Sequence, residues 1–174
     1  MTSILAKTFS SFILLIAGLL LFSACDDNTF PGPDFSAVPD PVSIAGITPD
    51  TLSNNTLIYV VREGNSTLSG LNPRDLALMR FSIWRDAGRG NVRDSSYEGQ
   101  FLEPAFVDIL SLQIGNNINI FTGPYFRFIT AGMVPGTTEN NYEDGEFRVA
   151  LVPPSVTGLS DTLRYDLELF QILD

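Results

Sequence analysis

The C-terminal residues alternate between apolar and charged side chains with a period of two. Leu163, Tyr165, Leu167 and Leu169 are separated by arginine, aspartate and glutamate. A β-strand has this period because successive side chains point to opposite faces, whereas a helix needs a period of 3.6. The pattern therefore predicts a strand with one dry face and one solvent-exposed face.

A second strand is predicted just before it. Phe147, Val149 and Leu151 alternate with Arg148 and an alanine, and the run stops at a Pro-Pro step. Proline has no N–H to donate to a sheet ladder, so the step ends the strand. The two strands form a predicted antiparallel pair joined by a short loop.

Length and composition predict one ordinary folded domain with additional segments. The chain has 174 residues, of which 44% are hydrophobic and 17% charged, which excludes wholesale disorder. After removal of residues 1–24, nine arginines face 20 acidic residues, a balance of about −11. Such a chain repels phosphates, so we expect no nucleic-acid partner.

The chain contains no histidine and one cysteine, Cys25. This composition excludes Cys/His zinc sites, Ser-His-Asp triads and Cys-His dyads. The acidic run at 139–146 lacks the Asp-x-Asp-x-Asp-Gly order of a calcium loop, so we interpret it as a solvated loop. We expect neither a metal nor a cofactor.

Residues 1–24 have the pattern of a secretory signal peptide. Lys7 precedes an apolar stretch, and small residues stand just before Cys25. The block Leu21 to Cys25 resembles a bacterial lipobox, which implies acyl chains on Cys25 and a lipid anchor in the cell envelope, with the outer membrane favoured. An unlipidated free thiol is the alternative. Asp26 and Asp27 leave the choice of membrane and face open.

Residues 25–53 contain five of the prolines and few apolar side chains. This composition predicts an extended tether between the lipidated cysteine and a folded domain at 54–174. Within it, we expect residues 42–47 to be loosely ordered, with pairing to a sheet edge as the alternative.

The only helix we predict lies at 122–133. Phe126, Ile129 and Met133 are spaced i, i+3 and i+7, so they form one apolar stripe. Thr122 or Gly123 can cap its N-terminus, and a Val-Pro-Gly sequence ends it.

Several of these segments resemble the FKBP-type peptidyl-prolyl isomerases. The matching segments are the Val-Pro-Pro step at 152–154, Thr-Leu-x-Tyr-Asp-x-Glu-Leu at 162–169, and Asp-Ser-Ser-Tyr at 94–97, with Met133 in the helix. The resemblance implies an α+β fold in which a curved antiparallel β-sheet, a half-barrel, wraps around one short α-helix.

The resemblance also implies a set of site residues. Phe126 stands where the family has its pocket-floor tryptophan, Phe81 and Tyr165 correspond to walls, and Phe106 corresponds to a further wall. Asp94 corresponds to the polar group that faces the rotating carbonyl. Each phenylalanine has core packing as its alternative, and Asp94 can instead be a turn residue that binds its own backbone.

Proline isomerisation requires no nucleophile, metal or proton transfer, because the barrier is rotation about a conjugated C–N bond of about 18–20 kcal/mol. A pocket that prefers the twisted amide lowers this barrier. The family therefore implies an anchored isomerase acting on proline-containing segments of envelope proteins, as a monomer.

The departures from the family pattern predict weak or lost activity. Phe81 replaces a tyrosine, Phe126 a tryptophan and Arg93 a phenylalanine, and only six residues, 155–160, separate the Pro-Pro step from the last strand. The main alternative is a non-catalytic FKBP-like module that binds proteins or peptides. A third hypothesis, a glycan-binding β-sandwich, depends on an exposed strand aromatic, for which Trp84 is the candidate.

Overall fold

A computed structural model of the protein describes residues 34–97, 104–110, 113–114, 117–118, 125–136 and 145–173. The predicted signal peptide, Cys25, the predicted helix caps Thr122 and Gly123, and residues 139–144 of the acidic run lie outside the described residues. Within those residues, no helix combines the length and apolar character needed to span a membrane.

The described residues contain one antiparallel sheet of nine strands. Its strands are β1 (Asp50–Thr51), β2 (Leu57–Arg62), β3 (Leu76–Trp84), β4 (Val92–Ser95), β5 (Ala105–Asp108), β6 (Gln113–Ile114), β7 (Asn117–Ile118), β8 (Phe147–Val152) and β9 (Leu163–Leu173). The spatial order is β1-β2-β8-β9-β3-β5-β6-β7, and β4 also pairs with β3. This architecture confirms the predicted antiparallel sheet, including the terminal pair β8 and β9.

Two short helices accompany the sheet. Helix α1 (Phe126–Thr130) confirms the predicted helix in a shorter form, because the backbone leaves helical angles at Ala131. Helix α2 (Pro154–Thr157) is a single turn that begins at the second proline of the Pro-Pro step and ends at Gly158 in the left-handed conformation. A 3₁₀ turn lies between β3 and β4.

The inner face of the sheet, which packs against α1, is mostly apolar. Leu163, Tyr165, Leu167 and Leu169 of β9 are almost completely buried there, in one core with Phe81, Ile83, Phe126, Ile129 and Met133. Burying an aliphatic or aromatic side chain of this size stabilises the fold by about 1.5–3 kcal/mol. The predicted dry face of β9 is therefore confirmed.

The outer face of β9 is not solvent-exposed, so this part of the prediction is wrong. Arg164, Asp166 and Glu168 are only 6%, 6% and 7% exposed. Each charge has a partner: Arg164 pairs with Asp166, and Glu168 pairs with Arg62 and with Arg80, the latter at 3.6 Å. Burial of these charges is tolerated because they are paired and hydrogen-bonded.

The outer face is covered in part by residues 34–49, which we call the strap. The Val42 N–H donates to Asp166 Oδ2 at 3.1 Å, and Arg164 donates to the Val42 carbonyl. Immediately after the strap, β1 pairs with β2. Within residues 34–53, Val42 and β1 therefore contact the sheet.

Arg148 of β8 connects the sheet to the end of α1. It lies opposite Leu167 on the inner face and donates Nη1 to the carbonyls of Ile129 and Ala131 at 2.9 and 3.0 Å. These are carbonyls at a helix C-terminus, where a cation is favourable. Glu146 neutralises Arg148 at 2.6 Å.

Glu146 is buried and also accepts the Val134 N–H at 2.9 Å. The interpretation of the acidic run as solvated is therefore wrong for its last residue. The reason is the neighbouring buried cation, whose charge needs a partner inside the fold.

Candidate functional site

Three of the predicted site residues lie on neighbouring strands of the inner face. Tyr165 of β9 is opposite Ile83 of β3, and Ile83 is opposite Asp94 of β4. Directly paired residues share a face of the sheet, and Phe81, two positions before Ile83, shares it as well. The strand register therefore places Phe81, Asp94 and Tyr165 on the same side.

Helix α1 brings Phe126 to the same cluster. The ring centroids of Phe126 and Tyr165 are 6.3 Å apart, with an interplanar angle of 58°. Phe126 therefore packs against Tyr165 on the side of the sheet that carries Phe81 and Asp94.

The aromatic members of this cluster are fully buried. Phe126 and Tyr165 have 0% of their surface exposed, and Phe81 has 2%. A side chain in this state contacts only protein and offers no surface to a ligand. In the part of the chain that the structure describes, these three aromatic side chains therefore belong to the packed core.

Tyr125, which sequence reasoning did not single out, packs against Tyr165. The two rings meet edge to face with centroids 6.0 Å apart, and the Tyr165 hydroxyl donates to the Tyr125 hydroxyl at 3.1 Å. Edge-to-face pairing is a preferred geometry for aromatic rings. Tyr125 thus covers the residue that the family resemblance identifies as a pocket wall.

Burial raises the pKa of Tyr165, and its hydrogen bond to Tyr125 raises it further. The negative charge of Asp94 acts in the same direction, while the positive charge of Arg93 opposes it. Tyr165 therefore remains a protonated hydroxyl and a hydrogen-bond donor within the fold.

Asp94 is half-buried in β4 and accepts the Ser95 N–H at 2.9 Å. This local bond is the alternative role that the sequence suggested. The charge of Asp94 also makes the smallest of the contributions to the raised pKa of Tyr165.

Ser95 and Ser96 fasten this segment to β3. The Phe81 N–H donates to Ser96 Oγ at 2.9 Å, and both serine hydroxyls donate to the Phe81 carbonyl, at 3.1 and 3.3 Å. The sequence motif contains both serines, but it does not predict that their hydroxyls bind the backbone of Phe81.

Phe106 does not join the cluster, so its predicted role as a pocket wall is wrong. It pairs with Leu78, which lies on the outer face, and it is 59% exposed. The inner-face positions of β5 are the adjacent Ala105 and Val107, which belong to the core or pack against it. A shift of one position along a strand changes the face of the side chain.

Trp84 is largely buried, and its Nε1–H donates to Ser82 Oγ at 3.0 Å. It therefore provides no exposed aromatic platform, and the glycan-binding hypothesis loses the feature on which it depended. Among the residues that the structure describes, no group of three or more acidic or thiol side chains is placed to hold a metal ion.

No protein-family model matches the chain, and no curated protein matches it in sequence. Solved structures do match its fold. The crystal structure of FkpA from Escherichia coli matches with a TM-score of 0.51 and 16% identity, over 71% of this chain and 51% of that chain. This chain therefore spans about half the length of the FkpA chain.

Two structures from Arabidopsis thaliana match less closely. The N-terminal domain of FKBP42 has a TM-score of 0.48 and 13% identity, over 79% of this chain and 99% of that one. A multi-domain immunophilin has a TM-score of 0.49 and 10% identity, over 77% and 48% of the two chains.

The chain thus has an FKBP-like fold, as the likeness to FkpA shows and as the sequence resemblance predicted. The identity is too low to carry activity from one protein to the other, because one fold supports many functions.

The Tyr165 hydroxyl predicts a pH dependence of stability. Tyr165→Phe and the matched control Tyr125→Phe both remove the hydroxyl hydrogen bond, so each should lower the free energy of unfolding by about 1 kcal/mol at pH 8. Above pH 10 Tyr165 ionises in the unfolded state and stays protonated in the folded state. Because of this residue, the free energy of unfolding of the wild type should fall by up to about 1.4 kcal/mol per pH unit.

Tyr165→Phe lacks this loss and Tyr125→Phe retains it. Urea unfolding between pH 8 and 11.5 should therefore show the Tyr165→Phe deficit shrinking and then reversing, with no such reversal for Tyr125→Phe. Parallel pH profiles for wild type and Tyr165→Phe would contradict the buried, protonated phenol.

Proposed function

We propose that this protein is an FKBP-like domain that binds protein segments without catalysing proline isomerisation, and that acyl chains on Cys25 hold it at a membrane of the cell envelope. The observation that carries the first part is the complete burial of Phe126 and Tyr165, with Tyr125 packed against Tyr165. The lipobox-like residues around Cys25 support the second part.

The argument against catalysis is physical. An isomerase of this kind must contact the proline ring and the twisted imide more favourably than the planar one, and each 1.36 kcal/mol of preference accelerates rotation about tenfold. Phe81, Phe126 and Tyr165 are at most 2% exposed, so a substrate cannot contact them while the core stays packed. The fold is retained, but its aromatic cluster stabilises the domain itself.

A second candidate function, a weak isomerase, is favoured by one specific observation. Asp94 pairs with Ile83, which also pairs with Tyr165, so Asp94 lies on the face of the sheet that carries the aromatic cluster, as expected for the polar group of an active site. This function requires Tyr125 to move away from Tyr165 so that a proline can enter. The proposed partners under both functions are proline-containing segments of envelope proteins, bound by a monomer.

Exchange spectroscopy of a Phe-Pro peptide separates the two functions. With the wild-type chain we expect the uncatalysed rate, a time constant of tens to hundreds of seconds at 25 °C, because no surface of the buried cluster reaches the peptide. An active FKBP-type isomerase serves as the positive control.

Asp94→Ala is compared with Asp50→Ala, the same substitution on the exposed strand β1. Acceleration by wild type and Asp50→Ala that disappears in Asp94→Ala would establish catalysis and overturn the proposal.

The anchor is tested by Cys25→Ser in the full chain expressed in a bacterium that processes lipoproteins. The wild-type protein should partition into the detergent phase of Triton X-114 because acyl chains replace a polar N-terminus, and the variant should move to the aqueous phase. Equal partitioning of the two proteins would show that Cys25 carries no anchor.

A further inference from the structure

The outer face of β9 carries a paired cation and anion that together bind one residue's backbone. Arg164 and Asp166 form a two-bond ion pair, Nε to Oδ1 at 2.5 Å and Nη2 to Oδ2 at 2.9 Å. We call this pair the fork. The two side chains also bind the backbone of Val42: the Val42 N–H donates to Asp166, and the Val42 carbonyl accepts from Arg164.

This recognition does not depend on the side chain of residue 42. Every residue except proline carries one N–H and one C=O, so the fork can bind any extended segment that presents them in this geometry. Hydrogen bonds to charged groups are stronger than those between neutral groups, so the fork can bind a peptide backbone effectively. It recognises an extended conformation rather than a sequence.

The strap has the composition of such a segment. Val42 follows Pro39, Asp40 and Pro41, and the two prolines restrict φ before the bound residue. Restricting the segment in advance lowers the entropy lost when it binds. The strap is thus a proline-containing peptide bound to the domain within its own chain.

The strap does not fill the groove that it occupies. A space of about 150 Å³ is lined by Pro39 and Val42 of the strap together with Tyr97, Phe147 and outer-face residues of the sheet. The guanidinium of Arg80, which also borders this space, lies 4.9 Å above the ring of Phe170. A segment with a larger apolar side chain than Asp40 would therefore find space and aromatic contacts here.

We infer that this groove is a binding site for extended, proline-containing segments of partner proteins, and that Pro39–Val42 of the strap is a resident occupant that such a segment displaces. The inference rests on the proposed binding function and gives it a location. The site is on the outer face, opposite the buried cluster of Phe126 and Tyr165.

Displacement follows from competition within one chain. A covalently linked segment competes at an effective concentration in the millimolar range, so a partner segment binds with a reduced apparent affinity. If the strap is bound about nine-tenths of the time, the apparent Kd of a competitor rises about tenfold. A substitution that weakens binding of the strap to the fork, and leaves the fork unchanged, should therefore lower the apparent Kd of the competitor.

Val42→Pro is the variant that weakens the strap, because it deletes the N–H that Asp166 accepts and leaves the sheet unchanged. Val42→Ala is its matched control, since it keeps both backbone groups. The probe is a fluorescein-labelled peptide with the sequence of residues 37–46, titrated with the full chain and followed by fluorescence anisotropy. We expect Val42→Pro to bind it about tenfold more tightly than wild type, and Val42→Ala to stay closer to wild type.

Two further measurements locate the peptide. Adding Asp166→Asn to Val42→Pro should abolish the gain, because the fork loses its anionic acceptor. If Asp166→Asn fails to fold, the peptide methylated on the nitrogen of its Val42-equivalent residue replaces it, and this peptide should not bind Val42→Pro.

Equal affinity of wild type and Val42→Pro would overturn the inference, and so would binding that survives both the Asp166→Asn change and the methylated peptide. These outcomes are independent of isomerase activity. Acceleration of Phe-Pro exchange would overturn the proposed non-catalytic function while leaving the peptide affinities unchanged.

Discussion

The fold depends on the burial of β9 on both faces. From Leu163 to Phe170 every residue of this strand is buried, although every second one up to Glu168 is charged. The apolar side chains of the inner face pack against α1. The charged side chains of the outer face form ion pairs and hydrogen bonds to the backbone of the strap. Removing one partner from such a pair leaves a buried charge uncompensated, which costs more than the pair itself contributes. The strands that carry the partner charges of Glu168 therefore have to be in place together.

The two faces of this strand lead to different functional conclusions. On the inner face Phe81, Phe126 and Tyr165, which correspond to isomerase pocket residues, are buried in the core, and Tyr125 packs against Tyr165. On the outer face paired charges hold a peptide segment of the chain itself beside a partly empty groove. Fold and binding site are separable, so the fold alone does not determine which face of the sheet binds a partner.

The parts predicted correctly from sequence are those controlled by local patterns. The period of two in 163–169 and the Pro-Pro step identified β9 and β8, and the spacing of Phe126, Ile129 and Met133 identified α1. What covers a face is a tertiary property, so alternation alone could not show that the strap buries Arg164 and its neighbours. The face of Phe106 depends on a one-residue register, which sequence does not determine. Tyr125 carried no signal, because a tyrosine at a helix start is as compatible with solvent as with packing.

The central claim is that both faces of β9 are closed to solvent. Hydroxyl-radical footprinting of the full chain, read residue by residue by mass spectrometry, measures this directly. Tyr165 on the inner face and Phe170 on the outer face should be oxidised far more slowly than Phe106 and Phe128, which are exposed aromatic references in the same molecule. Oxidation of Tyr165 at the rate of the exposed phenylalanines would show an open pocket and contradict the account.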